Sequence, residues 1–242
     1  MDSTGRRRRK RRAARLALGV AAAMVLMLAL GGTTASTEGT IVVHGAASGT
    51  HLHLTVRGAD IVVKGAMEPR AKGCHFTAGN VAICPTAGAS AIDVETGPSS
   101  DKVQVEDPLP ISLITYLGKG SDKLIGNSEQ DTCYPQGTKR NRCLGGPGND
   151  VCITGPRNTD CIGGPGNDYC RASTGSDGCW GGPGNDVCYM GPGEDGCHGE
   201  GGNDRLYGGP QPDQLYGGPG YDYCNGGPGI GKSHGCEAGP GH

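Results

Sequence analysis

The segment GGPGNDVCITGPRNTDCIGGPGNDYCRASTGSDGCWGGPGND, residues 145–186, repeats one pattern every nine residues. From Gly145 to Asn225 the pattern continues through nine units without an insertion. The sixth position is Asp in eight of the nine units, and the eighth position is Cys or Leu in all nine. A short and strictly periodic repeat predicts a solenoid, in which each unit packs against its neighbours.

Weaker copies extend the array in both directions. Two units occupy residues 117–125 and 126–134, a ten-residue unit follows and ends at Leu144, and a less regular unit runs from Gly226 to Cys236. The first six positions of a unit are rich in Gly, Pro, Asn and Asp, which favour turns. The last three positions predict a very short strand whose middle residue points inward. Two turns and two strands then close one coil of 18 residues.

The composition excludes several classes of protein. Of the 242 residues, 47 are Gly, 16 are Pro and only 4% are aromatic, which leaves too little large apolar surface for an ordinary globular core. Residues 36–242 carry 14 basic and 23 acidic side chains, and this excess of negative charge argues against binding to nucleic acid or anionic lipid. The 12 cysteines indicate an oxidising compartment.

The first 35 residues have the order of regions typical of a secretory signal peptide. A basic run at 6–12 precedes about fifteen apolar residues at 16–30, and small residues follow as far as Ala35. We therefore expect a signal peptide over 1–35, cleavage near Ala35, secretion, and no membrane span in the mature chain. An uncleaved N-terminal anchor is the alternative, because the apolar run can extend to Gly32.

The nonapeptide resembles that of the RTX, or hemolysin-type, calcium-binding family, G-G-x-G-x-D-x-U-x with U a large apolar residue. The GGPGND copies at 145–150, 163–168 and 181–186 match its first six positions in full. The resemblance implies an all-β fold, a right-handed parallel β-roll over 117–237 preceded by a small β-rich segment over 36–116. It also implies Ca²⁺ ions between stacked turns, held by Asp carboxylates and turn carbonyls. Two features differ from the family: position eight is mostly Cys, and a Sec-like N-terminus replaces a C-terminal export signal.

Alternate units fall on opposite edges of the roll, and we expect most of the metal on the edge that carries the GGPGND units. Its aspartates form a row of stacked carboxylates about 4.8 Å apart, which repel one another unless a cation neutralises them. Ca²⁺ suits such a row because it accepts many oxygen ligands in flexible geometry. The predicted ligands on this first edge are Asp150, Asp168, Asp186, Asp204, Asp222, Gly146, Gly148, Asn149, Gly164, Gly166, Asn167, Gly182, Gly184, Asn185, Gly202, Asn203, Gly218 and Gly220.

The second edge loses glycines and gains Arg157, so sites there are expected to be weak or absent. The weaker candidates in the whole array are Asp122, Asp131, Asp177, Asp195 and Asp213. An array of turns that needs no metal is the alternative, but turn formation alone does not require Asp at the same place in every nine-residue unit.

Ten of the twelve cysteines lie in the array, where disulfide bonds would compensate for a thin core. Pairing across the roll gives Cys133–Cys143, Cys152–Cys161, Cys170–Cys179, Cys188–Cys197 and Cys224–Cys236. Pairing along one edge gives Cys133–Cys152, Cys170–Cys188, Cys143–Cys161 and Cys179–Cys197, and bridge geometry is too strict for the sequence to choose. A column of free thiols is a third possibility.

Residues 36–116 predict short strands separated by Gly-rich turns. Cys74 and Cys84 flank FTAGNVAI, which predicts a disulfide-closed hairpin, and residues 96–104 (TGPSSDKVQ) are a candidate degraded repeat. We expect this segment to cap the roll, because an open coil end exposes unpaired strand edges.

No GxSxG, HExxH or Walker motif is present in the sequence, so the prediction is a non-enzymatic protein. The leading hypothesis is an exported calcium-binding protein with a structural or adhesive role, whose roll folds on meeting extracellular calcium. A calcium-independent disulfide scaffold acting as a binding module is the second hypothesis. A small secreted enzyme that uses the N-terminal segment is the third. The sequence identifies no macromolecular partner.

Overall fold

The computed structural model describes residues 40–46, 49–65, 74–77, 79–106, 109–137, 139–229 and 231–239. The predicted signal peptide over 1–35 lies outside the described residues. Within those ranges the chain forms strands and no helix, so the all-β prediction is confirmed. The strands are β1 (Thr40–His44), β2 (His51–Arg57), β3 (Asp60–Lys64), β4 (His75–Thr77), β5 (Val81–Pro85), β6 (Ala91–Glu95), β7 (Lys102–Val105), β8 (Ser112–Leu117), β9 (Lys123–Ile125), β10 (Thr132–Pro135), β11 (Asn141–Leu144), β12 (Val151–Ile153), β13 (Thr159–Ile162), β14 (Tyr169–Arg171), β15 (Gly178–Pro183), β16 (Val187–Tyr189), β17 (Gly196–Gly201), β18 (Arg205–Tyr207), β19 (Gln214–Tyr216), β20 (Tyr223–Asn225) and β21 (Lys232–His234).

The strands form the two sheets of a β-solenoid. The first sheet has nine strands in the order β1-β6-β8-β10-β12-β14-β16-β18-β20, and the second has twelve in the order β21-β19-β17-β15-β13-β11-β9-β7-β2-β3-β5-β4. From β6 onward, successive strands of the chain alternate between the two sheets. Cys152 pairs with Cys170 and Cys170 with Cys188 in parallel register. These pairings confirm the predicted coil of 18 residues and two strands.

Position eight of each unit forms a buried column between the sheets. Most three-residue strands have their middle residue buried and their outer two more exposed, as β12 and β20 show. Leu206 and Leu215 are 0% exposed in this column. Each three-residue strand of the repeats therefore contributes one side chain to the column, which is why short strands suffice to enclose it.

Disulfide bonds cross the column at three of the five predicted places. Cys133–Cys143, Cys152–Cys161 and Cys224–Cys236 are bonded, with Cα atoms 5.9 to 6.3 Å apart. Pairing across the roll is thus correct at these positions, and pairing along one edge is not.

The structure differs from the remaining two predicted pairs. Cys170, Cys179, Cys188 and Cys197 are free and buried, so Cys170–Cys179 and Cys188–Cys197 are not bonded. Parallel stacking brings the Sγ atoms of Cys170, Cys179 and Cys188 all within 4.8 Å of one another. Proximity therefore does not single out a bonding partner in this part of the column.

The stacked sheets begin before the array that the sequence delimits. β6 pairs with β8 and β7 with β9, all in parallel register. Residues 96–104 supply the start of β7, as expected of a degraded repeat. No break in the two sheets coincides with the predicted boundary between residues 116 and 117.

Antiparallel strands extend the second sheet beyond the coils. β2 pairs in parallel with β7, and β3, β5 and β4 follow in antiparallel register. The Cys74–Cys84 disulfide closes the hairpin of β4 and β5, as predicted. No helix in the described part of the chain has the length and apolar character needed to cross a membrane.

Candidate metal centre

A row of buried aspartates follows the first edge, one residue from each coil just before a strand of the first sheet. The members of this first row are Asp131, Asp150, Asp168, Asp186, Asp204 and Asp222. From Asp150 onward, each Oδ1 accepts the backbone N–H of the row member one coil earlier, and Asp131 Oδ1 accepts the Leu113 N–H. The Asp150 N–H donates to Asp168 Oδ1 over 2.6 Å, and the Asp168 N–H donates to Asp186 Oδ1 over 2.6 Å. At the C-terminal end, Glu237 Oε2 accepts the Asp222 N–H over 2.7 Å.

A second row follows the opposite edge with the same hydrogen bonds but a less uniform composition. Its members are Asp101, Asp122, Asn141, Thr159, Asp177, Asp195 and Asp213. The Thr159 N–H donates to Asp177 Oδ1 over 2.7 Å, and the Asp177 N–H donates to Asp195 Oδ1 over 2.7 Å. The row is interrupted at Asn141, whose N–H donates to the Asn158 carbonyl instead.

The second carboxylate oxygen of most row members has no partner. Among the described residues, Oδ2 is buried and accepts no hydrogen bond in ten of them: Asp101, Asp122, Asp150, Asp168, Asp177, Asp186, Asp195, Asp204, Asp213 and Asp222. A buried carboxylate oxygen without a partner is costly. A native structure that contains ten of them has a ligand for them or pays a large penalty.

Each first-row Oδ2 faces the glycine that opens its own unit. A Cβ built on Gly163 would overlap Asp168 Oδ2, and a Cβ on Gly181 would overlap Asp186 Oδ2. Glycine at position one therefore leaves the room into which the unpaired oxygen points.

The first-edge turns place carbonyl oxygens between successive coils. Gly164 and Gly166 have φ of +116° and +149°, values that side chains rarely tolerate. The Gly146 and Gly148 carbonyl oxygens face these two glycines so closely that a Cβ on either would overlap them. Carbonyl and carboxylate oxygens thus converge on the same edge.

The predicted asparagines form a column of their own beside the first row. Asn167 N–H donates to Asn149 Oδ1, and Asn185 N–H donates to Asn167 Oδ1, each over 2.7 Å. Asn203 and Tyr221 continue the series. Because these amide oxygens accept backbone N–H groups, the side chains hold neighbouring turns together.

Gly-rich turns that each end in a buried Asp thus recur along the first edge of the roll. Residues 162–196 and 198–231 match the RTX calcium-binding nonapeptide repeat family, in four copies. These residues are RTX repeats. No curated protein and no solved structure matches the chain significantly. The resemblance found in the sequence is confirmed for this part of the roll.

Burial makes the aspartates of the roll hard to ionise in the absence of a cation. Burial, and then the charges of Asp131 and Asp168, raise the pKa of Asp150 to about 8. Burial likewise raises the pKa of Asp186 to about 7 and that of Asp168 to about 6. In the second row, burial raises the pKa of Asp195 to about 7.

The donor set of the first edge fits Ca²⁺. No basic side chain among the described residues forms an ion pair with Asp150, Asp168, Asp186 or Asp204. The edge offers only oxygen donors, carboxylate and carbonyl, and Ca²⁺ takes many such ligands in flexible geometry. Zn²⁺ favours His and Cys, and Mg²⁺ requires a strict octahedron.

The weaker candidates Asp122 and Asp131 lie in different rows, and the structure adds row members that the sequence analysis missed. Asp131 stands in the first row, although its Oδ2 accepts the Asn127 N–H over 2.7 Å, while Asp122 belongs to the second row. Asp101 was missed as a row member; its sixth place in TGPSSDKVQ was the available signal. Glu237 was also missed, and nothing in the irregular last unit indicates it.

Proposed function

We propose that this protein is an exported calcium-binding repeat protein whose β-roll becomes stable when Ca²⁺ neutralises the aspartate rows. The observation that carries the proposal is the set of ten buried Oδ2 atoms without a hydrogen-bond partner. The RTX match over residues 162–231 supports the same ion. The excess of acidic residues after position 35 agrees with a cation as the ligand.

Electrostatics indicates that the ion contributes to folding. Two unit charges about 4.8 Å apart repel by about 3.5 kcal/mol at an effective dielectric of about 20. A site whose dissociation constant lies tenfold below the calcium concentration adds about 1.4 kcal/mol of stability. Four such sites add about 5–6 kcal/mol, which is comparable to the whole stability of a small domain.

We propose that the strong sites lie on the first edge. There the Oδ2 atoms of Asp150 and its successors would bind the ion together with carbonyls of the predicted glycine and asparagine positions. The second edge has Asn141 and Thr159 in place of aspartates and fewer glycines, so its sites are expected to be weaker. Asp177, Asp195 and Asp213 are the best candidates there.

The proposed role is structural or adhesive, outside the cell, and not catalytic. A chain exported through a membrane unfolded would meet little calcium before export and more afterwards. The rows then supply a switch from an unfolded to a folded chain. The predicted signal peptide over 1–35 supports export, and N-terminal sequencing of the secreted protein would identify the cleavage site.

The decisive experiment is a calcium titration of the full chain followed by far-UV circular dichroism, with disulfides intact and with disulfides reduced. We expect a β-sheet signal that grows on adding calcium and is lost on adding EDTA, most clearly in the reduced protein. A reduced protein that gains no β-sheet signal at millimolar calcium would contradict the proposal.

A calcium-independent scaffold is the second candidate, and the three disulfides across the column favour it. Such bonds restrict the unfolded chain and stabilise the fold without metal. In the same titration, this candidate requires a full β-sheet signal in EDTA as long as the disulfides are intact, and no change when calcium is added.

A further inference from the structure

Four cysteines at the centre of the column are unbonded although pairs above and below them form disulfides. Cys170 and Cys188 are paired neighbours in the first sheet, and Cys179 and Cys197 are paired neighbours in the second. All four are free and buried. The Sγ atoms of Cys170, Cys179 and Cys188 lie within 4.8 Å of one another. Three sulfurs therefore form a close group, and Cys197, the strand neighbour of Cys179, lies beside it.

A fifth sulfur belongs to the same cluster. Met190 is 0% exposed, and its Sδ lies 3.0 Å from Cys188 Sγ. Met190 opens its nine-residue unit, a place that Thr154, Ala172 and Gly208 hold in the other units of that edge. The calcium rows give no reason for a methionine at this position.

We propose that Cys170, Cys179, Cys188 and Cys197, with the Met190 thioether, form a site for one Cu(I) ion. Thiolate and thioether sulfur are soft ligands, which suit Cu(I), Zn²⁺ and Fe–S clusters. Binding replaces the S–H protons of two of the cysteines by Cu–S bonds and these two protons leave to solvent, while the other two cysteines stay protonated and the thioether stays neutral. Copper enters and stays as Cu(I), so no oxidant or reductant is consumed.

Charge favours Cu(I) over Zn²⁺ in this site. Zn²⁺ in a four-cysteine site binds four thiolates and leaves a net charge of −2 in the buried column. Cu(I) held by two thiolates, with the other sulfurs neutral, leaves −1. Because the backbone N–H groups of β14 to β17 take part in sheet pairing, few donors are left to stabilise the larger charge.

This site is independent of the calcium proposal because it uses sulfur in the column, whereas calcium would use oxygen at the edges. Either proposal can fail while the other stands. The neighbouring disulfide Cys152–Cys161 fixes the adjacent coil and so helps to hold the cluster in place.

The test is a Cu(I) titration of the full chain, kept anaerobic in ascorbate and calcium, against a chromophoric Cu(I) chelator. We expect one tightly held Cu(I) per chain, a thiolate-to-copper absorption band, and protection of the four thiols from alkylation. The double variant C170S/C179S should lose the site. The single variant M190L should weaken Cu(I) affinity by about tenfold or more, and it preserves side-chain size if the double variant does not fold.

The matched control is C74S/C84S, which removes the same number of cysteines outside the column and should leave copper binding unchanged. Equal Cu(I) affinity of C170S/C179S and the unaltered chain would overturn the proposal. So would the recovery, from copper-free protein, of a chain in which alkylation under denaturing conditions finds no free thiol, because Cys170–Cys179 and Cys188–Cys197 would then be disulfides.

Discussion

Asp186 shows how one residue meets two opposed demands. Its Oδ1 accepts the Asp168 N–H and joins two coils, while its Oδ2 is buried without a partner. The first contact stabilises the roll in any buffer. The Oδ2 atom stabilises the roll only when it binds a cation, because a buried charge without a partner is costly.

The variant Asp186→Asn should therefore have opposite effects with and without calcium. The amide oxygen can still accept the Asp168 N–H, but the charge is gone. We expect calcium affinity at the adjacent sites to fall by about tenfold or more, while thermal stability in EDTA rises. Calorimetric titration and thermal unfolding in both buffers measure the two effects.

Asp160→Asn is the matched control for this change. Asp160 lies outside the rows, where it pairs with Arg140 over 2.7 Å at the surface. It should leave calcium affinity unchanged and alter stability little, since exposed ion pairs contribute about 0–1 kcal/mol. Equal losses of calcium affinity in both variants would show that the rows are not the binding site.

Gly164→Ala should destabilise the calcium-bound roll. Gly164 has φ of +116°, and a Cβ there would overlap the Gly146 carbonyl oxygen of the preceding coil. Strain at such a backbone angle alone costs about 1–3 kcal/mol, and the overlap adds to it. Urea unfolding in calcium measures the loss.

Gly196→Ala provides the comparison for this glycine. No positive φ is found at Gly196, and a Cβ there meets nothing within 4 Å. We expect little change or a slight gain in stability, because alanine restricts the unfolded chain. A similar loss in both alanine variants would mean that the close stacking of turns does not limit this edge.

At the scale of the elements, the two rows impose an unusual pH dependence on the metal-free roll. The pKa of Asp150, Asp186 and Asp195 is raised to between about 7 and about 8 by burial, above the ordinary value of 3.8. Between about pH 4 and pH 8 the folded roll then binds more protons than the unfolded chain. Stability must therefore fall as pH rises through this window.

We predict that metal-free protein is most stable near pH 4 and loses stability up to about pH 8, as measured by urea unfolding at several pH values. Asp150→Asn should flatten this dependence, since it removes the carboxylate whose pKa is raised furthest among those given a value. In calcium the trend should reverse, because protons compete with the ion for the same oxygens. Metal-free stability that rises with pH would contradict this account.

The strands of the repeats were predictable because every unit marks the position of its strand. Asp at position six and Cys or Leu at position eight locate β12 to β20 almost residue by residue. β7 was harder, because TGPSSDKVQ retains one glycine and has to be recognised by Asp101 alone. The free thiols of Cys170 and Cys188 were not predictable, since bonding depends on sulfur positions that residue spacing does not give.

At the scale of the molecule, the coils form one continuous pair of sheets from β6 onward. In a solenoid, stability depends on each repeat and on its interface with the next repeat. Calcium bound within residues 162–231 should therefore stabilise coils outside that range. The repeat match begins at residue 162, but the stacked sheets begin well before it.

We predict that calcium slows hydrogen exchange of the amides in β6 to β9 together with those in β12 to β18. Mass spectrometry of peptic fragments, with and without calcium, measures both regions in one experiment. The antiparallel strands β3 and β5 serve as the internal comparison and should respond less, since they lie outside the stacked coils. If calcium does not change hydrogen exchange of the amides in β6 to β9, then calcium binding does not stabilise these coils, although the sheets are continuous.

The sequence analysis predicted a roll and a preceding β-rich segment, but it did not show that the two share their sheets. Residues 36–116 alternate hydrophobic and polar positions, which indicates strands without stating their partners. The parallel pairing of β6 with β8 joins residues about twenty apart through a segment in which the repeat motif is degraded. Such pairings depend on the stacking of whole coils, so they appear only when the chain is folded.

The aspartate hydrogen bonds all point the same way along the chain. The Asp150 N–H donates to the carboxylate of Asp168, and the Asp168 N–H donates to that of Asp186. The backbone amide of each Asp in this row is therefore satisfied only once the following coil has folded. Each coil thus depends on its C-terminal neighbour, and Glu237 accepts the N–H of the last row member, Asp222.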